Sequence, residues 1–142
     1  MDVKSAFLKG DIYEEQPQGF IQDSTLVCKL KKSIYGLKQA PRAWYAKMHS
    51  FLLPTGFARF HSHLNVYILQ RDDSHLLLVL YVDDLIIIGS TTSIIDSVKS
   101  TLQDIFSMID LGLLHCFLGI EIQQSSSGIT LSQPKYALDL LI

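Results

Sequence analysis

One stretch, residues 76–89, constrains the fold more than any other part of the chain. It has the sequence LLLVLYVDDLIIIG, in which only Asp83, Asp84 and the terminal glycine are neither apolar nor aromatic. β-Branched and aromatic residues favour strands, and a two-residue polar break between apolar runs is typical of a tight hairpin. The sequence therefore predicts a β-hairpin with Asp83 and Asp84 at its tip. Because the runs are apolar at consecutive positions, we expect a sheet covered on both faces.

The two carboxylates at this tip need an explanation. Two buried carboxylates repel each other and resist the loss of water, and a bound cation relieves both problems. Asp72 and Asp73 form a second Asp-Asp pair, but their neighbours are polar, so we expect an ordinary solvated turn there. A solvated turn also stays open as an interpretation of Asp83 and Asp84.

Composition indicates a globular domain or a piece of one. The chain has 142 residues, of which 48% are hydrophobic and 18% charged. No apolar run approaches the roughly 20 residues of a membrane span, so no membrane partner is expected. Cys28 and Cys116 lack metal-ligand spacing; we expect buried free thiols and hence a reducing compartment such as the cytoplasm.

The charge distribution leaves the question of nucleic-acid binding open. The formal net charge of −2 gives no global reason to expect it. Basic residues are nevertheless concentrated in one segment, which is either a phosphate-contacting face or a merely solvated one. These residues are Lys29, Lys31, Lys32, Lys38 and Arg42.

Periodicity and turn residues predict the order of elements. The chain begins with the end of a strand at Asp2 and a short helical turn ending at Gly10, followed by a loop over residues 11–25. Further strands are predicted at 26–30, 66–69, 76–82, 85–88, 117–122 and 129–131, and helices at 41–53, from 90–93 to 106, and from 134 onward. The underlying order of strand, helix, strand, strand, helix, strand is the ferredoxin-like βαββαβ pattern of an α+β fold.

This topology predicts a third carboxylate at the hairpin tip. In the ferredoxin-like sheet the first strand lies antiparallel beside the third, so Asp2 meets the turn that contains Asp83 and Asp84. Three carboxylates suit Mg²⁺, which prefers oxygen ligands and is usually shared with substrate phosphates. Two such ions activate an attacking hydroxyl and neutralise the leaving oxygen in phosphoryl transfer. We therefore expect two Mg²⁺ ions, with Mn²⁺ as a possible substitute.

The same residues carry a resemblance to a known family. Tyr81, Val82, Asp83 and Asp84 resemble the active-site signature of reverse transcriptases. Three longer strings resemble the palm of copia-type retrotransposon polymerases: MDVKSAFL, KLKKSIYGLKQAPRAWY and DLGLLHCFLGIEI. The resemblance implies an RNA-directed DNA polymerase within a Pol polyprotein. It implies a palm over residues 1–122 and the start of a connection to the thumb over 123–142, both truncated and without fingers or RNase H.

The resemblance also implies roles for individual residues. Asp2, Asp83 and Asp84 would be catalytic and, with the backbone of Val3, would hold the metals. The expected nucleotide-binding residues are Val3, Ala6, Phe7, Tyr35, Gly36 and Tyr81, with Phe7 excluding a 2′-hydroxyl. The expected contacts to primer and nucleic acid are Lys38, Arg42, Phe117, Leu118 and Gly119. Core packing remains an alternative for Phe7, and ordinary turns remain one for the glycines.

The implied partners are an RNA or DNA template with its primer, deoxynucleoside triphosphates and the remainder of the Pol polyprotein. Two other functions stay open. The first is a non-catalytic relic or nucleic-acid-binding module, because one ferredoxin-like sheet serves many functions. Its support is the missing fingers and thumb and the lack of net basic charge, and His63, which stands where the family usually has aspartate, adds to the case for a decayed copy. The second is another two-metal palm enzyme, such as a nucleotide cyclase. For the isolated chain we expect no polymerase activity.

Overall fold

This computed structural model of the protein describes residues 1–3, 12–31 and 40–141. The fold is mixed α/β, with antiparallel sheets and three helices among the described residues. The chain divides into two compact units, Met1–Ile109 and Asp110–Ile142. No helix in the described ranges is long and apolar enough to cross a membrane.

The first unit is built on a six-stranded antiparallel sheet. In chain order its strands are β1 (Asp2–Val3), β4 (Ala58–Arg59), β5 (Val66–Arg71), β6 (Ser74–Tyr81), β7 (Asp84–Gly89) and β8 (Met108–Ile109). They lie side by side in the order β4-β5-β6-β7-β1-β8. A separate two-stranded sheet pairs β2 (Ile12–Glu14) with β3 (Cys28–Leu30).

Two helices contribute one apolar face each to the core of this unit. Helix α1 (Ala40–Leu52) has proline at its second position, where the missing N–H costs nothing, and ends just before Pro54. Helix α2 (Thr92–Ile105) follows β7. Residues spaced three or four apart on one side of each helix are buried, as the 3.6-residue period requires. They are Ala40, Trp44, Met48 and Leu52 on α1, and Ile94, Val98 and Leu102 on α2.

One face of the sheet packs against these helices. Leu76, Leu78 and Leu80 alternate along β6 and are buried in the same core cluster as both helices. On the opposite face Leu77 and Val79 are half-buried, and Ile88 is 55% exposed. The prediction of a sheet covered on both faces is therefore wrong for the described residues. Consecutive apolar residues do fill both faces, but the core cluster takes up only one of them.

The second unit has three strands and one helix. Its sheet has the order β11-β10-β9, formed by β9 (Cys116–Phe117), β10 (Ile120–Ser125) and β11 (Gly128–Ser132). Helix α3 (Pro134–Asp139) begins at the predicted proline. Among its described residues none is buried, so this unit has no core of its own.

The predicted single strand over residues 117–122 is wrong. Leu118 and Gly119 have φ angles of 51° and 79° and form a two-residue loop between β9 and β10. Positive φ at both positions is typical of a type I′ turn, which favours asparagine or glycine. A leucine at the first position does not predict such a turn, so the sequence pattern missed it. The strand that pairs with the far side of β1 is instead the short β8. The predicted loop over residues 11–25 likewise contains β2.

Two smaller expectations also have an outcome. Both cysteines are free, but Cys28 is only half-buried and Cys116 is exposed, so the prediction of buried thiols is wrong. Each cysteine is the first residue of a short strand outside the six-stranded sheet, and neither belongs to the core cluster. The helical turn predicted before Gly10 lies outside the described residues.

Candidate active site

The predicted hairpin is present, with its loop displaced by one residue. Strands β6 and β7 pair from Leu76 opposite Gly89 to Tyr81 opposite Asp84. The loop is therefore Val82 and Asp83, and Asp84 is the first residue of β7. Val82 has a φ of 54°, which a β-branched residue rarely adopts. The sequence does not signal a loop at this position, because the turn uses a residue that ordinarily avoids it.

Strand β1 brings Asp2 to the same edge of the sheet. Asp2 pairs with Asp84 across β1 and β7, so the predicted antiparallel neighbour is confirmed. Met1 and Leu85 exchange both backbone hydrogen bonds, at 2.8 Å and 2.9 Å. The next pair, Asp2 with Asp84, is therefore of the non-hydrogen-bonded kind, in which facing Cα atoms are only about 4.5 Å apart. Two carboxylates thus stand face to face beside a third at Asp83.

The electrostatics of this cluster follow from that arrangement. Burial raises the pKa of Asp84 above its ordinary value of 3.8, and the negative charges of Asp83 and Asp2 raise this pKa further. The N-terminal amino group has the opposite effect on the pKa. Asp72 and Asp73 differ, since both are exposed and form the loop between β5 and β6, as predicted. A nearby cation would stabilise the ionised form of the Asp84 carboxylate.

The three aspartates supply the oxygen donors that a hard divalent cation prefers. Within the described ranges, however, no three acidic, histidine or cysteine side chains are already arranged so as to hold a metal ion. The fit to a metal ion thus rests on the type of donor and on the concentration of negative charge, and not on a preformed coordination geometry.

The remaining predicted residues fall into three groups. Tyr81 ends β6 and is 43% exposed, Arg42 is exposed in the first turn of α1, and the backbone of Val3 pairs with Met108. Phe117, Leu118 and Gly119 form the β9–β10 hairpin of the second unit. Five others lie outside the described residues: Ala6, Phe7, Tyr35, Gly36 and Lys38.

One residue at the hairpin loop was not among the predicted site residues. The indole Nε1–H of Trp44, on α1, donates a hydrogen bond of 2.7 Å to the backbone carbonyl of Val82. In its spacing along the sequence, Trp44 differs in no evident way from the other regularly spaced apolar residues of this helix, Met48 and Leu52. The available signal was the residue type, because a buried tryptophan usually finds a hydrogen-bond partner for its N–H group.

Comparisons with known proteins agree with the resemblance of the motifs. The family model described as reverse transcriptase (RNA-dependent DNA polymerase) matches residues 1–141. The chain is 44% identical, over 99% of its length, to the retrovirus-related Pol polyprotein from transposon RE1 of Arabidopsis thaliana. It is 43% identical, over 96% of its length, to the corresponding polyprotein from transposon TNT 1-94 of Nicotiana tabacum.

The match covers a small part of these relatives. The chain spans 10% of the RE1 polyprotein and 11% of the TNT 1-94 polyprotein. A shorter relative, the putative transposon Ty5-1 protein of Saccharomyces cerevisiae, is 39% identical over 96% of the chain and is itself covered to 46%. No solved structure matches the chain significantly.

Proposed function

Because the chain belongs to the reverse transcriptase family, among the Pol polyproteins of copia-type transposons, we propose that it forms the palm of an RNA-directed DNA polymerase. The proposed reaction is template-directed transfer of a deoxynucleotide to the 3′-hydroxyl of a primer. The partners would be an RNA or DNA template with its primer, deoxynucleoside triphosphates and the rest of the polyprotein.

The observation that carries this proposal is the facing pair of Asp2 and Asp84 beside Asp83. These carboxylates, with the backbone of Val3, would hold two Mg²⁺ ions, or Mn²⁺ in their place. The ions would supply activation of the primer hydroxyl and neutralisation of the leaving oxygen. The role of the chain is to hold three negative charges at one sheet edge. The pKa of Asp84 is raised first by its burial and then by the charges of Asp83 and Asp2, and a bound cation would offset both effects.

We also propose the finer fold assignment, a ferredoxin-like palm. The sheet order β6-β7-β1-β8, with α1 and α2 between strands in sequence, supports it. In this assignment the palm covers residues 1–122, and residues 123–142 begin the connection to the thumb.

Roles for other residues rest on the family resemblance. Val3, Ala6, Phe7, Tyr35, Gly36 and Tyr81 would surround the nucleotide, with Phe7 against the sugar. Lys38, Arg42, Phe117, Leu118 and Gly119 would contact the primer or its backbone. The exposure of Arg42 at the start of α1 is compatible with a phosphate contact.

A non-catalytic relic or nucleic-acid-binding module is the second candidate. It is favoured by the formal net charge of −2, which gives the chain no global attraction for nucleic acid. Genomic sequence on both sides of the reading frame separates the two. Intact coding for fingers, thumb and RNase H favours a polymerase, and stop codons favour a relic.

The direct test compares two aspartates in matched positions. Asp73 and Asp83 are each the second residue of a two-residue loop, at opposite ends of β6. In the complete polymerase that contains this chain, we expect Asp83→Asn to reduce the primer-extension rate roughly a hundredfold or more, since a carboxylate that would hold the charge-neutralising metal ions is lost. Asp73→Asn serves as the control and should keep the wild-type rate. Equal rates for the two variants would overturn the proposal.

A further inference from the structure

We propose that Trp44 is a positioning residue for Asp83, acting through its hydrogen bond to the carbonyl of Val82. This inference rests on the proposed function, because it concerns how the metal-binding turn is held in place. It assigns a task in the reaction to a residue of the helix core that touches neither substrate nor metal.

The first step is the conformation of the loop. Val82 has a φ of 54°, in the left-handed region that β-branched residues avoid. As the first loop residue it lies outside the β6–β7 ladder, which ends with Tyr81 opposite Asp84. Its conformation therefore needs support from outside the hairpin.

The second step is the bond that supplies this support. The indole nitrogen of Trp44 carries one hydrogen and can only donate, so the 2.7 Å bond to Val82 uses its whole donor capacity. The ring is 3% exposed and is locked edge-on against Phe106, with ring centroids 5.5 Å apart. The donor is thus a rigid point of the helix core.

The third step connects this bond to the aspartate. The peptide group is planar, so fixing the oxygen of Val82 also fixes the nitrogen of Asp83 and the plane that joins them. Rotation of this plane would move the Asp83 side chain relative to Asp84, on which its charge already acts. The loop of Asp72 and Asp73 offers a comparison, since Asp72 has a similar φ of 51°. In the described part of the chain, no side chain donates to the Asp72 carbonyl.

The test measures kcat for nucleotide addition and primer–template affinity in the complete polymerase. Trp44→Phe removes the N–H group and keeps an aromatic ring, and we expect kcat to fall about tenfold or more, because small displacements of a reacting group are costly. Primer–template affinity should stay within about twofold of wild type. Phe106→Leu, which loosens the packing of the same ring but keeps the bond, is the control and should retain most of kcat.

A second comparison, in which Trp44→Phe is introduced into the Val82→Gly variant, separates positioning of the loop from general stability. Glycine adopts positive φ at no steric cost, so in Val82→Gly the loop no longer depends on the bond. Adding Trp44→Phe to Val82→Gly should therefore lower kcat less than about threefold. An equal loss in the two backgrounds, or an equal loss in Phe106→Leu, would overturn the positioning role.

Two further outcomes keep the test decisive. If Trp44→Phe fails to fold, benzothienylalanine at position 44 keeps the shape of the ring and replaces the N–H group by sulfur. A kcat within twofold of wild type for this variant overturns the inference, and a tenfold loss supports it. Failure of the proposed function is recognised separately, because the wild-type protein would then add no nucleotide, or Asp83→Asn would keep the full wild-type rate. An inactive Asp83→Asn with a fully active Trp44→Phe would overturn only the positioning role.

Discussion

At the scale of residues, the main feature of the site is that three negatively charged carboxylates lie close together. Asp84 faces Asp2 across a close pair of strands and follows Asp83 in the chain. Burial raises the pKa of Asp84, and the negative charges of Asp83 and Asp2 raise this pKa further. The ionised Asp84 carboxylate destabilises the fold without a metal, and under the proposed function the same charges would bind the metal ions.

The first prediction concerns Asp84→Asn, which should increase stability while abolishing primer extension. The pKa of Asp84 is raised above 3.8 in the folded chain, so the folded state binds the proton more tightly than the unfolded state. The stabilisation by protonation is full below pH 3.8 and is lost as the pH rises through the folded pKa. At pH 7 and without metal, thermal unfolding should therefore show a higher Tm for Asp84→Asn than for the wild type.

The control for this prediction is the pH series. The difference in Tm between wild type and Asp84→Asn should shrink as the pH falls toward about 4, because the wild-type carboxyl then becomes neutral as well. Asp73→Asn, in an exposed loop, should show no comparable gain. A lower Tm for Asp84→Asn at pH 7 would contradict the repulsion argument.

At the scale of elements, the hairpin is joined to α2 by a close approach. A Cβ atom on Gly89, at the end of β7, would lie 2.6 Å from Cγ1 of Ile95 and 3.2 Å from Cγ2 of Ile94. The ladder continues past this point, since Ser90 donates to the carbonyl of His75 at 2.9 Å. The strand and the helix therefore cannot separate easily to admit a side chain.

The prediction at this scale is that Gly89→Ala destabilises the fold by about 1–3 kcal/mol, the usual cost of overpacking. Urea unfolding measures it. The control is the double variant Gly89→Ala with Ile95→Ala, in which the nearest atom, Cγ1 of Ile95, is removed. The combined loss should be smaller than the sum of the two single losses. Strict additivity would mean that the clash is relieved in some other way.

At the scale of the whole molecule, the two units differ in how they are stabilised. The first unit has a continuous core that both helices share with the sheet. In the second unit Leu131, Leu138 and Leu140 are each more than 60% exposed, and none of its described residues is buried. Exposed apolar surface of this kind is typical of a site that contacts another protein segment.

We accordingly predict that the isolated 142-residue chain does not extend a primer, whereas the complete polymerase does. The net charge of −2 on the isolated chain gives it little attraction for nucleic acid. The measurement is primer extension with Mg²⁺, compared at equal molar concentration of the two proteins. In the complete polymerase, chelation of the metal should abolish activity, and added Mg²⁺ should restore it. Extension by the isolated chain at a similar rate would refute this prediction.

The amino-acid sequence by itself determined the elements whose signals are local. The β6–β7 hairpin, α1, α2 and the start of α3 follow from apolar periodicity and proline positions. The sequence also predicted that Asp2 would meet the Asp83–Asp84 pair, since strand order alone brings them to one edge. It misplaced the hairpin loop by one residue and missed the break at Leu118, because both turns put a residue with a side chain in a left-handed conformation.

Only the tertiary structure decided what holds the site in place. Trp44 and Val82 are 38 positions apart, and each is unremarkable where it stands in the sequence. Their hydrogen bond exists because α1 shares its core with the sheet, so that a buried donor meets a carbonyl outside the ladder. The face-to-face spacing of Asp2 and Asp84 is likewise a matter of register. Local patterns encode which residues form strands, but packing decides which atoms of distant residues meet.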